Sequence, residues 1–139
     1  MTDHWRDRVE VDVGFAAGVS DRGRRHHRNE DALVLRGVGM GSGEPSAAVA
    51  VVCDGVSWSA RPDEASEIAA EVGAEVLVTA LHCAGDPAAA TRTAVHTAGR
   101  AVAGLAHVNE TARGAPACTF VSAVITGGAI TMGWVGDSR

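Results

Sequence analysis

The feature that most constrains this chain is the run Ala47–Cys53, seven consecutive apolar residues closed by Asp54-Gly55. It is far shorter than the ~20 residues that a membrane span needs. A short, valine-rich run bounded by a turn signal fits a buried strand. Other β-like segments surround it: Val9–Val19, running into a polar turn at Ser20, Asp21 and Gly23; Ala32–Arg36; Thr119–Thr126; and Ile130–Val135. The last two are joined by Gly127-Gly128, a two-glycine hairpin signal. Gly37–Ser46 reads as a surface turn, and it contains neither a dinucleotide-binding glycine pattern nor a Walker lysine.

Between the third strand and the last two lie two helical patterns. Pro62, Asp63 and Glu64 suit a helix first turn, and Ala65, Ile68, Ala69, Val72, Val76 and Ala80 follow at helical spacing. Gly85 is expected to end that helix as its C′ residue, with Asp86-Pro87 opening the next as N-cap and N1. The second stripe is Val95, Ala98, Val102, Leu105 and Ala106, weakened by Gly99 and Gly104. The order of three strands, two helices and two strands is not βαβ alternation. It predicts an α+β fold, with antiparallel strands and the helices gathered on one side.

Composition removes several functional classes. With 46% apolar residues the chain is no disordered segment. A net charge of −5 argues against a general nucleic-acid binder, although Arg22, Arg24, Arg25 and Arg28 form one basic cluster with His26 and His27 between them. The charged N-terminus has no apolar h-region of a secretory signal, so a cytoplasmic protein with no membrane association is expected. Cys53, Cys83 and Cys118 are widely spaced and form no C-x-x-C, which suggests neither a disulfide framework nor a zinc site.

Oxygen-ligand cation sites need carboxylates at the ends of rigid strands. Asn29-Glu30-Asp31 stands where a polar loop meets the Ala32–Arg36 strand, and Asp54 ends the most apolar strand. A cation offsets the cost of desolvating such a carboxylate, and Gly55 lets backbone approach closely. An Asx-turn at Asp54 explains the same residues without a metal.

Four segments together resemble the PPM (type 2C) metal-dependent serine/threonine protein phosphatases. Gly18-Val-Ser-Asp-Arg-Gly23 followed by Asn29-Glu-Asp-Ala32 is similar to that family's first motif. Ala50-Val-Val-Cys-Asp-Gly55, with Ala65-Ser66, resembles the second; Pro116-Ala-Cys-Thr119 and Gly133-Trp-Val-Gly-Asp-Ser-Arg139 resemble the third and fourth. The resemblance implies an antiparallel β-sandwich flanked by helices, an α-β-β-α arrangement. It also implies two manganese or magnesium ions that activate water against phosphoserine or phosphothreonine, in proteins phosphorylated by a serine/threonine kinase pathway. No side-chain nucleophile is then required. By position, Asp54 would bridge both ions, Gly55 would offer its carbonyl, Glu30 and Asp31 would bind directly or through water, and Asp137 would serve a weaker site.

Three departures matter. The family's phosphate-holding arginine is replaced by His26, which leaves that role open among Arg25, His26 and Arg28. Asp54-Gly-Val-Ser-Trp-Ser59 also replaces a glycine-rich continuation. The family's further aspartates have no counterpart here, and the chain stops directly after a strand. Residues 1–139 are therefore expected to be the N-terminal portion of one domain, incomplete at the C-terminus. A phosphoprotein- or partner-binding module without catalysis, built on the same fold, is the alternative.

Overall fold

The computed structural model describes residues 7–39, 43, 45–106 and 114–139. Eight elements follow in order: β1 (Arg8–Asp12), β2 (Ala17–Asp21), β3 (Asp31–Val38), β4 (Ala47–Asp54), α1 (Pro62–His82), α2 (Pro87–Ala103), β5 (Phe120–Thr126) and β6 (Ala129–Val135). All strand pairs are antiparallel, with β1–β2 as one sheet and β3-β4-β5-β6 as the other. The fold is α+β, as expected.

The long apolar strand occupies the middle of the larger sheet. Its alternate residues Val49, Val51 and Cys53 are almost fully buried, as are Ala65, Ala69, Ala74 and Leu77 of α1, with which they form one core. Small residues let the helix lie close. A Cβ added at Gly73 would come within 2.7 Å of the Phe120 ring, so β5 seats its aromatic in the notch this glycine leaves. The other face of the sheet carries Val52, Ile125, Met132 and Trp134, all substantially exposed. The β1–β2 hairpin packs over the β3 end of that face: a Cβ on Gly37 would sit 2.9 Å from Phe15.

Two local expectations are corrected. Val9–Val19 is not one strand but a hairpin. Asp12 Oδ1 accepts from the Gly14 N–H at 2.8 Å and Gly14 takes φ +84, so the chain reverses where the run of β-formers suggests continuation. Nor is Gly85 the left-handed residue that ends α1. Ala84 takes that position with φ 53, and Gly85 instead donates its N–H to the Ala80 carbonyl at 2.8 Å, a Schellman closure shifted by one residue. Other signals hold. Asp86 caps α2 through the Ala89 N–H at 2.7 Å, and Gly127-Gly128 turns β5 into β6 with both φ positive. The turn expected over Gly37–Ser46 begins only after Val38, and residues 40–42 and 44 lie outside those described. Among the described residues no helix is long and apolar enough to cross a membrane.

Candidate metal and phosphate site

Antiparallel register builds this site at one edge of the larger sheet. Asp31 opens β3 and Asp54 closes β4, and they are directly opposed as the first pair of the ladder. Directly opposed residues of a ladder project their side chains to the same face, so the two carboxylates are neighbours. Burial, followed by the charge of Asp54, pushes Asp31 up to about 6, although part of its side chain stays in solvent; His26 pulls the other way, less strongly. A cation placed between two such carboxylates offsets the cost of holding both charged at a partly buried spot.

The backbone beneath them is fixed by close contacts. The Glu30 carbonyl accepts from the Gly55 N–H at 2.9 Å and from the Ser66 hydroxyl at 2.6 Å, tying the β3 entry, the β4 exit and α1 at one point. Gly55 is required there because a Cβ would lie 2.6 Å from the Glu30 carbonyl oxygen and closer still to that of Pro62. On the other side, Thr119 Oγ1 accepts from the Asp54 N–H at 2.9 Å and lies 2.7 Å from Ser138 Oγ. Thr119 thereby joins the end of β4 to the loop after β6. Asn29, buried, donates to Ser20 Oγ at 2.8 Å and accepts from the Asp31 N–H at 3.2 Å, so it positions Asp31 from β2.

The remaining sequence candidates divide. The Glu30 carboxylate accepts from Ser57 Oγ at 2.5 Å and faces His26 Nδ1 at 3.6 Å on the same oxygen, and its charge adds to the rise at Asp31. Asp137 is exposed beside Ser138 on the same sheet edge. Among the described residues, no group of three or more His, Cys, Asp or Glu side chains converges to hold an ion. The structure thus brings Asp31, Asp54 and Gly55 together and leaves Glu30 and Asp137 nearby.

The basic loop is similarly sorted. Arg28 donates to Asp63 Oδ2 at 2.9 Å, and the other oxygen of Asp63 is buried without a partner. Arg22 is used structurally, on the His26 carbonyl at 3.1 Å and near Asp7 at 3.5 Å. Arg25 is exposed, and among the described residues it makes no ion pair. Sequence reasoning does not single out Ser57 or Asp63 as site residues. Ser57 stands in view within the departing loop, but only the fold shows that it faces Glu30.

Comparison with known proteins agrees with the motifs. A family model described as Protein phosphatase 2C matches residues 21–139. No curated protein and no solved structure matches. Phosphatases of this family are generally metal-dependent and act on phosphoproteins. The match begins within the first motif and runs through Asp31, Asp54, Thr119 and Asp137, so the chain belongs to the protein phosphatase 2C family.

Proposed function

We propose that this chain carries out metal-dependent hydrolysis of phosphoserine and phosphothreonine in cytoplasmic proteins, with Asp31 and Asp54 as the central cation-binding pair. The observation that supports this best is the face-to-face carboxylate pair at the end of the most buried strand. Its donors are anionic oxygens, which suit a hard cation such as manganese or magnesium and not a soft one. Asp31 and Asp54 would hold such an ion, with the Gly55 carbonyl beside them; Glu30 would serve a second once its carboxylate leaves Ser57, and Asp137 a weaker third. When bound, such ions supply Lewis acidity toward phosphoryl oxygen and make water nucleophilic at neutral pH.

The chain's own residues do the positioning. Arg25, exposed and without an ion pair among the described residues, offers a cation for the substrate's phosphate, and a guanidinium matches two phosphate oxygens at once. Asp63 holds Arg28 at the rim, where it adds positive potential, and His26 contributes when protonated. Thr119 and Asn29 keep the two aspartates in register, so neither must reorganise as charge develops on the phosphoryl group.

One observation favours the non-catalytic alternative: no third carboxylate closes on the Asp31–Asp54 pair among the described residues. Phosphate release from a phosphothreonine peptide, with and without manganese, separates the two readings. Manganese-dependent turnover supports the enzyme. Saturable peptide binding with no turnover at any manganese concentration supports the module and overturns the catalytic reading.

A further inference from the structure

Directly behind the carboxylate pair lies a second pair, of thiols, that the phosphatase reading does not use. The β4–β5 ladder continues past its last regular pair to a bridge between Gly55 and Cys118. Side chains alternate along a strand, so Cys53, two residues before Gly55, shares the helix-facing side with Cys118. Gly55 places no side chain between them. Cys53 is completely buried; Cys118 is partly buried, donates from Sγ to the Ala65 carbonyl at 3.4 Å, and stands diagonally across the ladder from Cys53. Cys118 also lines an apolar cavity of about 220 Å³ with Ala69, Ala98, Phe120 and Val135, which gives a small molecule a way in.

We propose that Cys53 and Cys118 are a modification site: a thiol pair that a peroxide closes into a reversible disulfide, with Cys118 attacking and Cys53 resolving. Diagonal neighbours on one face of an antiparallel pair have Cα atoms about 7–8 Å apart, so a disulfide of ~2.05 Å forms with a small shift of the two strand ends. The roles follow from their surroundings. Cys118 is partly exposed and borders the apolar cavity, so peroxide reaches it first, whereas Cys53 is fully buried and is left to resolve the sulfenic acid.

The chemistry balances with hydrogen peroxide as oxidant. The Cys118 thiolate attacks one peroxide oxygen, the O–O bond breaks, and a sulfenic acid and hydroxide form. The Cys53 sulfur then attacks the Cys118 sulfur and the S–O bond breaks. The departing hydroxide takes the Cys53 proton as water, and the net change is two thiols and one peroxide to one disulfide and two waters. In a reducing compartment such a bond is transient, as redox-sensing disulfides are.

Closing it reaches the site. Cys53 precedes Asp54 and Cys118 precedes Thr119, and these neighbours exchange two hydrogen bonds, Asp54 N–H to Thr119 Oγ1 at 2.9 Å and Thr119 N–H to the Asp54 carbonyl at 2.8 Å. Drawing the two cysteines together shifts the strand ends that aim Asp54. This consequence rests on the proposed function; the disulfide itself does not.

The test uses the full chain with exposed Cys83 replaced by Ser, which removes the thiol most open to intermolecular exchange. The folded protein is treated with hydrogen peroxide, alkylated and digested. The expected product is a peptide linking residues 53 and 118, short of two hydrogens and reversed by dithiothreitol. Adding Cys53→Ala should instead leave a sulfenic acid on Cys118 that dimedone traps. Sulfinic acid on Cys118 with Cys53 still alkylated, or two thiols that survive oxidation, overturns the proposal. Manganese-dependent phosphate release, read in parallel, is expected to fall at least tenfold on oxidation and to return on reduction. A linked peptide from a protein inactive even when reduced leaves the disulfide standing and counts against the phosphatase reading. A linked peptide with undiminished turnover overturns the regulatory consequence.

Discussion

Replacing Asp31 by Asn should make the metal-free protein more stable at neutral pH, even though it removes a proposed ligand. Asp31 is pushed from 3.8 to about 6 by burial and by Asp54, so the folded state binds its proton more tightly than the unfolded chain does. Stability contributed by that proton is fully present below the unfolded value near 3.8 and is lost as pH rises through about 6. A rise from 3.8 to about 6 corresponds to roughly 3 kcal/mol between protonation states. Asp31 keeps part of its side chain in solvent, and screening there reduces the effect to about 1 kcal/mol. The assay is urea unfolding with a chelator at pH 4 and pH 7.5. Asp31→Asn is expected to match wild type at the lower pH and to exceed it by about 1 kcal/mol at the higher, because an amide can donate to Asp54 without adding charge. Manganese should reverse the order at pH 7.5, since only the wild type gains from it. An Asp31→Asn variant less stable than wild type at pH 7.5 in chelator refutes the reasoning, as does a difference that does not change with pH.

Three other substitutions probe the same edge. Gly55→Ala forces a methyl against the Pro62 and Glu30 carbonyl oxygens and is expected to destabilise by about 2–3 kcal/mol, measured by thermal melting. Thr119→Val removes the acceptor of the Asp54 N–H and should cost about 1–3 kcal/mol in urea, with manganese affinity falling in step. Arg25→Ala should raise KM for a phosphopeptide about tenfold with kcat little changed, whereas Arg28→Ala should mainly lower the melting temperature, because Arg28 is the partner of half-buried Asp63. Equal kinetic effects from the two arginines would show that both contact phosphate.

Most of the scaffold is legible in the sequence because its signals are local. The Ala47–Cys53 run, the Asp86-Pro87 cap and the double-glycine turn each dictate structure within a few residues, and each appears where the pattern places it. The hairpin at Gly14 escapes such a reading because β-branched residues flank it on both sides and a single Asx-turn decides the reversal. Ala84 displaces Gly85 because the Schellman hydrogen bonds are satisfied one residue earlier, with glycine needed for its close approach to Ala80. The carboxylates themselves are legible as strand-end residues. That Asp31 opposes Asp54 while Glu30 turns to Ser57 depends on strand register and on a loop, and neither is encoded by spacing. The placing of Cys53 and Cys118 on one face is likewise a product of β4–β5 pairing across a long stretch of intervening chain.

Direct manganese binding tests the central claim, because it requires only the carboxylate pair and no turnover. Titration of the chain with manganese, followed by electron paramagnetic resonance of the free ion, should show saturable binding. Two carboxylates leave most of the shell to water, so a dissociation constant of about 10⁻⁴–10⁻³ M is expected. Asp54→Asn should abolish that binding while the far-UV circular dichroism stays unchanged. Wild type that takes up no manganese, or a folded Asp54→Asn protein that binds it as tightly, would contradict the assignment of this edge as the metal site.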